Sequence, residues 1–445
     1  MKMMIQLSDH FDYKRLLRFT LPSIVMMIFT SIYGVVDGFF VSNFAGKTDF
    51  ASVNFIMPFL MILGTVGFMF GTGGGAVVSK TFGEGEPERA NRLFSLFVYV
   101  SAAIGVVISV AAFIFLPDIT RLLGADDDML GGCVLYGRII VAAVPAFILQ
   151  MEFQSFFVTA ERPQLGLYST VASGVTNMVL DAAFLGLFRG GIAGAAAATA
   201  ISQYVGALIP LFYFGRDNSS LLRLGKTVYD GRALLKACTN GSSELMSNIS
   251  MSLVGMLYNV QLMKYAGQDG VAAYGVLMYV NMVFIAVFIG YSVGTAPVIG
   301  YHYGAKNHGE LKSLLSKSAL LIAVSSFMML GAGELLGPVF SRIFVGYDET
   351  LYAMTLHSFR IFSFSFLFAG FSIFASSFFT ALSDGLTSAL ISFLRTLVFQ
   401  SAAVMLLPLV WEIDGIWLSI AAAEFVSCTV SLIFIIVKRG KFHYI

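Results

Sequence analysis

The sequence predicts an all-α polytopic membrane protein, with twelve transmembrane helices in two pseudo-symmetric six-helix lobes. Three observations lead there. Apolar residues make up 57% of the chain and charged ones 12%, which is about half the charged share of a soluble domain. Such a chain cannot cover a globule with polar groups, whereas lipid asks for no such cover. The apolar residues come in runs of about 20 or more, long enough to cross a hydrocarbon core of ~30 Å. The second half of the chain also repeats the first.

Lys14, Arg15 and Arg18 run directly into the long apolar segment of the first span, 15–41, which ends without a small-residue cleavage site and so reads as a retained helix. The others are expected at 53–79, 93–116, 134–158, 166–187, 192–214, 234–263, 273–299, 313–337, 355–380, 385–408 and 415–437. Turn formers separate them, among them Gly83-Glu84-Gly85-Glu86-Pro87, Arg162-Pro163 and Gly304-Ala305-Lys306-Asn307. The longest polar stretch divides the chain into an N-lobe (1–215), a cytoplasmic linker (216–233) and a C-lobe (234–445). Nineteen Lys and Arg fall on the side of the N-terminus, against five (Lys47, Arg121, Arg189, Lys264 and Arg342) on the other. Positive charge stays inside. Both termini are therefore expected in the cytoplasm, with the chain crossing the cell (inner or plasma) membrane an even number of times.

The repeat is gapless over some 70 residues at a shift of 221. Gly34 meets Gly255, Gly73 meets Gly294, and Phe82-Gly83 meets Tyr303-Gly304. At 222, Arg138 meets Arg360 and Ser155-Phe156-Phe157 meets Ser377-Phe378-Phe379; at 224, Gly191-Ile192 meets Gly415-Ile416. Six spans per half is an even number, so the halves share a topology and an axis along the membrane normal. Transporters use that design to place a cavity between two lobes.

Other classes are disfavoured. A net charge of +1 without a basic arm gives no reason to expect nucleic acid. Cys133, Cys238 and Cys428 are isolated and form no metal spacing. No Ser/His/Asp or Cys/His constellation argues for an enzyme. The run Gly71-Thr72-Gly73-Gly74-Gly75 lacks the Lys-Ser/Thr of a phosphate loop and reads as a close helix contact.

An ionisable group inside a span is costly and therefore a functional candidate. Asp37 lies late in the first span, in the run Tyr33-Gly34-Val35-Val36-Asp37-Gly38, and Asp181 lies in the fifth. Asn177 and Asp181 are four apart and share a helix face, as do Thr199 and Gln203 in the sixth span. Two carboxylates, an amide and a hydroxyl in a dry site could hold a proton or coordinate Na⁺ through oxygen. The repeat partners of Asp37, Asn177, Asp181 and Thr199 are Tyr258, Phe399, Ala403 and Ala423, so this cluster is expected in the first half alone. Glu244, after Gly241-Ser242-Ser243, either faces the cavity or favours a helix N-terminus. Glu152 and Gln154 either line a path or pair with neighbours; Glu334, Arg360, Arg395 and Glu424 read as structural or interfacial.

These residues resemble the MATE (multidrug and toxic compound extrusion) family, in its DinF-like and MepA-like prokaryotic branch, over nearly the whole chain. The carriers are Leu21-Pro22-Ser23, Asp37-Gly38, the Asn177-x-x-x-Asp181 pair and Gly191-Ile192-Ala193-Gly194-Ala195-Ala196. In the second half they are Val271-Ala272-Ala273-Tyr274-Gly275 and Gly300-Tyr301-x-Tyr303-Gly304-Ala305. The resemblance implies a V-shaped pair of lobes that exports small organic cations and amphipathic drugs in exchange for H⁺ or Na⁺. It implies no other cofactor and a monomer surrounded by membrane lipid. Its cation site, including any Na⁺, falls on Asp37, Asn177, Asp181 and Thr199, with Tyr136 nearby; Pro22 matches a helix-bending proline. Tyr33, Tyr136, Gln203, Glu244 and Tyr258 are the candidate cavity residues. The NorM-like branch carries a tenth-span acidic residue for a second-lobe Na⁺ site; the span 355–380 has none, which puts that site in question here. The alternative is a lipid-linked precursor flippase of the same superfamily, which usually needs basic residues in its cavity. Arg395 and Arg360 are the main ones available.

Overall fold

A computed structural model describes residues 5–44, 47–125 and 127–444. All regular structure among them is helical. The first six spans are α1 (Tyr13–Phe44), α2 (Asp49–Gly83), α3 (Pro87–Leu122), α4 (Met129–Thr159), α5 (Pro163–Leu187) and α6 (Gly191–Gly215). Pro87 and Pro163 open α3 and α5, where a missing N–H costs nothing. α1 runs unbroken through the buried Pro22.

A helical stretch of 74 residues follows, Gly231–Gly304. Drawn straight it would be about 110 Å long, far more than one crossing needs. It is two helices: Gly267 has φ 61°, ψ −149°, a conformation open to glycine. Tyr258 and Tyr274 stack with ring centroids 5.1 Å apart, whereas 16 residues along one helix would separate them by about 24 Å. The chain therefore folds back at Gly267 into α7 (231–266) and α8 (268–304). α9 is His308–Val345, and α10 is Glu349–Ser363 plus Phe366–Ala381, bent by 49°. α11 (Gly385–Leu406) and α12 (Pro408–Phe442) complete twelve spans. The span expected at 355–380 is thus present, starts earlier and is bent between Ser363 and Phe366, where neither Pro nor Gly stands.

Glycines reveal how the halves meet. A Cβ on Gly83 would sit 1.9 Å from the carbonyl oxygen of Tyr301, and one on Gly304 would sit 2.0 Å from that of Lys80. These two contacts are mates at the 221 shift, so α2 and α8 cross at the pseudo-symmetry axis. Gly73 of α2 packs on Ala237 and Gly241 of α7, while its mate Gly294 packs on Thr20 of α1. The glycine run is thus a helix contact, as expected, and residues 70–74 form a π-helical turn there.

The ends are tied down. The Leu7 N–H donates to Glu161 Oε1 at 2.6 Å, and the Phe11 N–H donates to Glu310 Oε1 at 2.9 Å. Burial holds the Glu161 carboxyl above its ordinary range, although the Leu7 N–H opposes this. At the other end, Lys438 Nζ donates to Asp384 Oδ2 at 2.8 Å, in the turn before α11.

Candidate ion-coupling site

The site is assembled by the approach of α1 to α5. A Cβ on Gly174 would lie 2.5 Å from the Phe29 ring and 3.0 Å from the Tyr33 ring, so only glycine admits α1 this closely. One turn further along each helix, Asp37 comes opposite Asn177, with Asp181 one turn beyond. The Asp37 carboxyl faces Asp181, Asn177 and Thr199. Tyr33 lies beside Asp37, and Tyr136 of α4 closes the group against Asp37, Asp181 and Thr199. Three of these six are fully buried: Asp181 at 0% exposure, Tyr136 at 1% and Asn177 at 2%. Immediately after Asp181, residues 182–187 widen into a π-helical segment, a device often found beside functional residues.

The side chains are neighbours, yet no hydrogen bond closes between them. Asp37 Oδ1, both oxygens of Asp181, both amide atoms of Asn177, Thr199 Oγ1 and Gln203 Oε1 are buried without a protein partner. Buried polar atoms nearly always have one. Two carboxylates held this close also repel each other when both are ionised, and either a shared proton or a small hard cation removes that repulsion. The donor set consists of carboxylate, amide and hydroxyl oxygens, which suits Na⁺ as well as a proton. Among the described residues no group of three or more His, Cys, Asp and Glu could hold a metal ion.

The polar face extends further than the sequence reading carried it. Gln150 Nε2 of α4 donates to Ser173 Oγ at 3.1 Å, and Ser173 Oγ donates to the Ser202 carbonyl at 2.7 Å. Gln154 Nε2 approaches Thr170 Oγ1 at 3.4 Å. Thr170, Ser173, Asn177 and Asp181 recur every three or four residues, and that spacing was the available signal. Glu152 points the other way and bonds Ser101 of α3.

Glu244 and Tyr258 lie apart from this group, in the second half. Tyr258 shares a 2.7 Å hydrogen bond with Ser419 and stacks on Tyr274. Glu244 faces Arg395, whose Nε donates to both Glu424 oxygens at 3.0 and 2.9 Å. The second half therefore holds a buried charged cluster of its own. Looking only at the partners of Asp37, Asn177, Asp181 and Thr199 missed it, because its members occupy other positions of the repeat.

The MatE family profile matches residues 22–183 and again 245–404, one match in each half and most of the chain together. The chain belongs to the MATE family. It is a membrane transporter and not an enzyme. Multidrug export protein MepA of Staphylococcus saprophyticus is 24% identical over 364 residues, 80% of this chain and 80% of that protein. MepA of Staphylococcus aureus strain MRSA252 is 21% identical over 430 residues, 96% of this chain and 94% of its own. Among solved structures, a MATE in complex with MaL6 superposes with a TM-score of 0.93 at 20% identity, covering 98% of both chains. An outward-facing multidrug resistance MATE transporter superposes with 0.92 at 20% identity, again covering 98% of both. At that identity the structures speak for the MATE fold, including its two six-helix lobes.

Proposed function

We propose that this protein is a secondary active antiporter that exports organic cations and amphipathic drugs in exchange for H⁺ or Na⁺. The observation that carries this reading is the pair Asp37 and Asp181, brought together from α1 and α5 with unpartnered buried oxygens. Export names on the MepA relatives support the multidrug part. In the proposed cycle the pair takes up one cation from outside, with Asn177 and Thr199 adding neutral oxygens. Loss of the repulsion lets α1 repack against α5 around Gly174 and Pro22, which closes the first-lobe pocket and expels the drug. The lobes then rock about the α2–α8 crossing, the cation leaves to the cytoplasm, and a cationic drug takes its place. Both termini, the linker 216–233 and most of the Lys and Arg residues lie on the cytoplasmic face in this reading.

A flippase for pyrophosphate-linked lipids would want free cations in the cavity. Arg395 is already held by Glu424, which favours the antiporter. The test is ethidium efflux from proteoliposomes under a pH gradient or a Na⁺ gradient imposed separately. Flux driven by one gradient and lost in Asp37→Asn is the expected result and names the ion. Equal flux in Asp37→Asn and wild type would remove the pair from the mechanism.

A further inference from the structure

The segment between the halves does not hang free. Residues 221–227, which have no regular secondary structure, form a strap against the first turns of α3, held by a polar row at Asn91, Ser95 and Tyr99, four residues apart on one helix face. Asn91 Nδ2 donates to the Leu221 carbonyl at 3.1 Å, and Asn91 Oδ1 accepts from the Arg223 N–H at 2.8 Å. Ser95 Oγ accepts from the Gly225 N–H at 3.0 Å, and the Tyr99 hydroxyl donates to the Gly225 carbonyl at 3.1 Å. Thr227 Oγ1 adds a bond to the Arg92 carbonyl at 2.7 Å. Further along α3, Val106, Val107, Val110 and Phe113 are exposed and present an apolar surface to lipid. The strap therefore lies where that apolar surface gives way to the polar boundary of the membrane.

Where the strap ends, Arg89, Arg92 and Arg232 surround a cavity of about 680 Å³ together with Val228 and Tyr229. Val228 is 72% exposed and Tyr229 79%. A tyrosine beside guanidinium groups at this depth suits the head-group layer, where amphipathic rings and basic side chains anchor. Two nearby carboxylates offset the three guanidinium charges only in part. Asp230 lines the cavity, but its Oδ1 caps α7, accepting from the Arg232 and Ala233 N–H groups at 3.1 and 3.0 Å. Glu86 meets Arg89 alone, at 3.1 Å. Among the described residues neither Arg92 nor Arg232 is in an ion pair.

We propose that this cavity docks the head group of an anionic phospholipid, its phosphodiester held by Arg92, Arg232 and Arg89 and its acyl chains lying along the exposed face of α3. Guanidinium groups match phosphate oxygens in pairs, and the adjoining apolar face distinguishes a lipid from free phosphate. The site depends on the strap geometry and not on ion coupling, so it stands or falls separately from the antiport reading.

The test is native mass spectrometry of the detergent-purified full chain offered phosphatidylglycerol or phosphatidylcholine. Wild type should retain phosphatidylglycerol preferentially. Each guanidinium removed in the series Arg92→Gln, Arg232→Gln and Arg89→Gln should weaken retention by roughly fivefold, and the three lysine replacements should keep most of it. Millimolar inorganic phosphate should leave the lipid bound. Displacement by phosphate would overturn the lipid assignment, as would equal retention of the two lipids or equal retention by wild type and the triple glutamine variant. Should that triple variant fail to fold, raising salt on wild type decides: retention that ignores ionic strength overturns the proposal.

Discussion

In the first lobe, the carboxyl groups of Asp37 of α1 and Asp181 of α5 face each other, and Asp37 Oδ1 and both Asp181 oxygens are buried without a protein partner. In the second, Arg395 of α11 grips both oxygens of Glu424 of α12, and Glu244 of α7 faces the same guanidinium. The helices correspond through the repeat: α1 with α7, α5 with α11, α6 with α12. One scaffold has thus been given two electrostatic designs. The second pairs Arg395 with Glu424 directly, so that ion pair is complete within the protein, with Glu244 left as a further carboxylate facing the same guanidinium. The first leaves buried oxygens without a protein partner, which is why we propose it as the site that a cation switches.

The sharpest way to break this comparison is to remove the internal cation. Arg395→Leu leaves Glu424, 3% exposed, without its counter-charge, and should cost about 3–5 kcal/mol in thermal unfolding of the purified protein. Adding Glu424→Leu should restore most of that loss, since an apolar pair of similar volume is often neutral. A mild Arg395→Leu variant would mean the second-lobe pair is not a closed structural unit. Next in size is Asp37→Asn, which should lower gradient-driven efflux about 100-fold, the equivalent of about 3 kcal/mol of lost cation binding. Its unfolding temperature should hold or rise, because a repulsion disappears. An unfolding cost like that of Arg395→Leu would erase the distinction between the lobes.

The loops that precede α5 and α11 extend the contrast to pH. Burial pushes the Asp384 carboxyl up, but hydrogen bonds from Lys438 and Thr387 and the charges of Lys438 and Lys441 prevail and hold it below the ordinary range. A depressed carboxyl contributes stability above its unfolded value, about 3.9, and loses it as pH falls through the folded one. Lys438→Met should therefore cost about 2 kcal/mol at neutral pH and progressively less in strong acid. Glu161 has the opposite sign. Its folded value is raised, so its contribution is full below the unfolded value of about 4.3 and fades as pH rises through the folded one. Glu161→Gln should flatten that dependence, an effect under about 1 kcal/mol between pH 4 and 7. Equal pH slopes in unfolding scans of the two variants would show that the two turns are not tuned apart.

Much of this was legible in the residues. Apolar run length located the twelve spans, and the 221 shift foretold that Gly83 and Gly304 would occupy equivalent places. Asp37, Asn177, Asp181 and Thr199 stood out because their repeat partners are apolar or aromatic. The pairing of Arg395 with Glu424 was not legible, since 29 residues and a helix reversal separate them. Nor was the 49° bend of α10, or the π-helical segments at 70–74, 182–187 and 394–399, which no residue type announces.

Composition, period and duplication determined by themselves that this chain crosses the membrane many times in two matched halves, because the cost of polar groups in lipid is local and additive along the chain. Which buried charges are satisfied was decided only by tertiary structure. That outcome depends on distances between side chains of different helices, set by close contacts such as Gly174 against Tyr33.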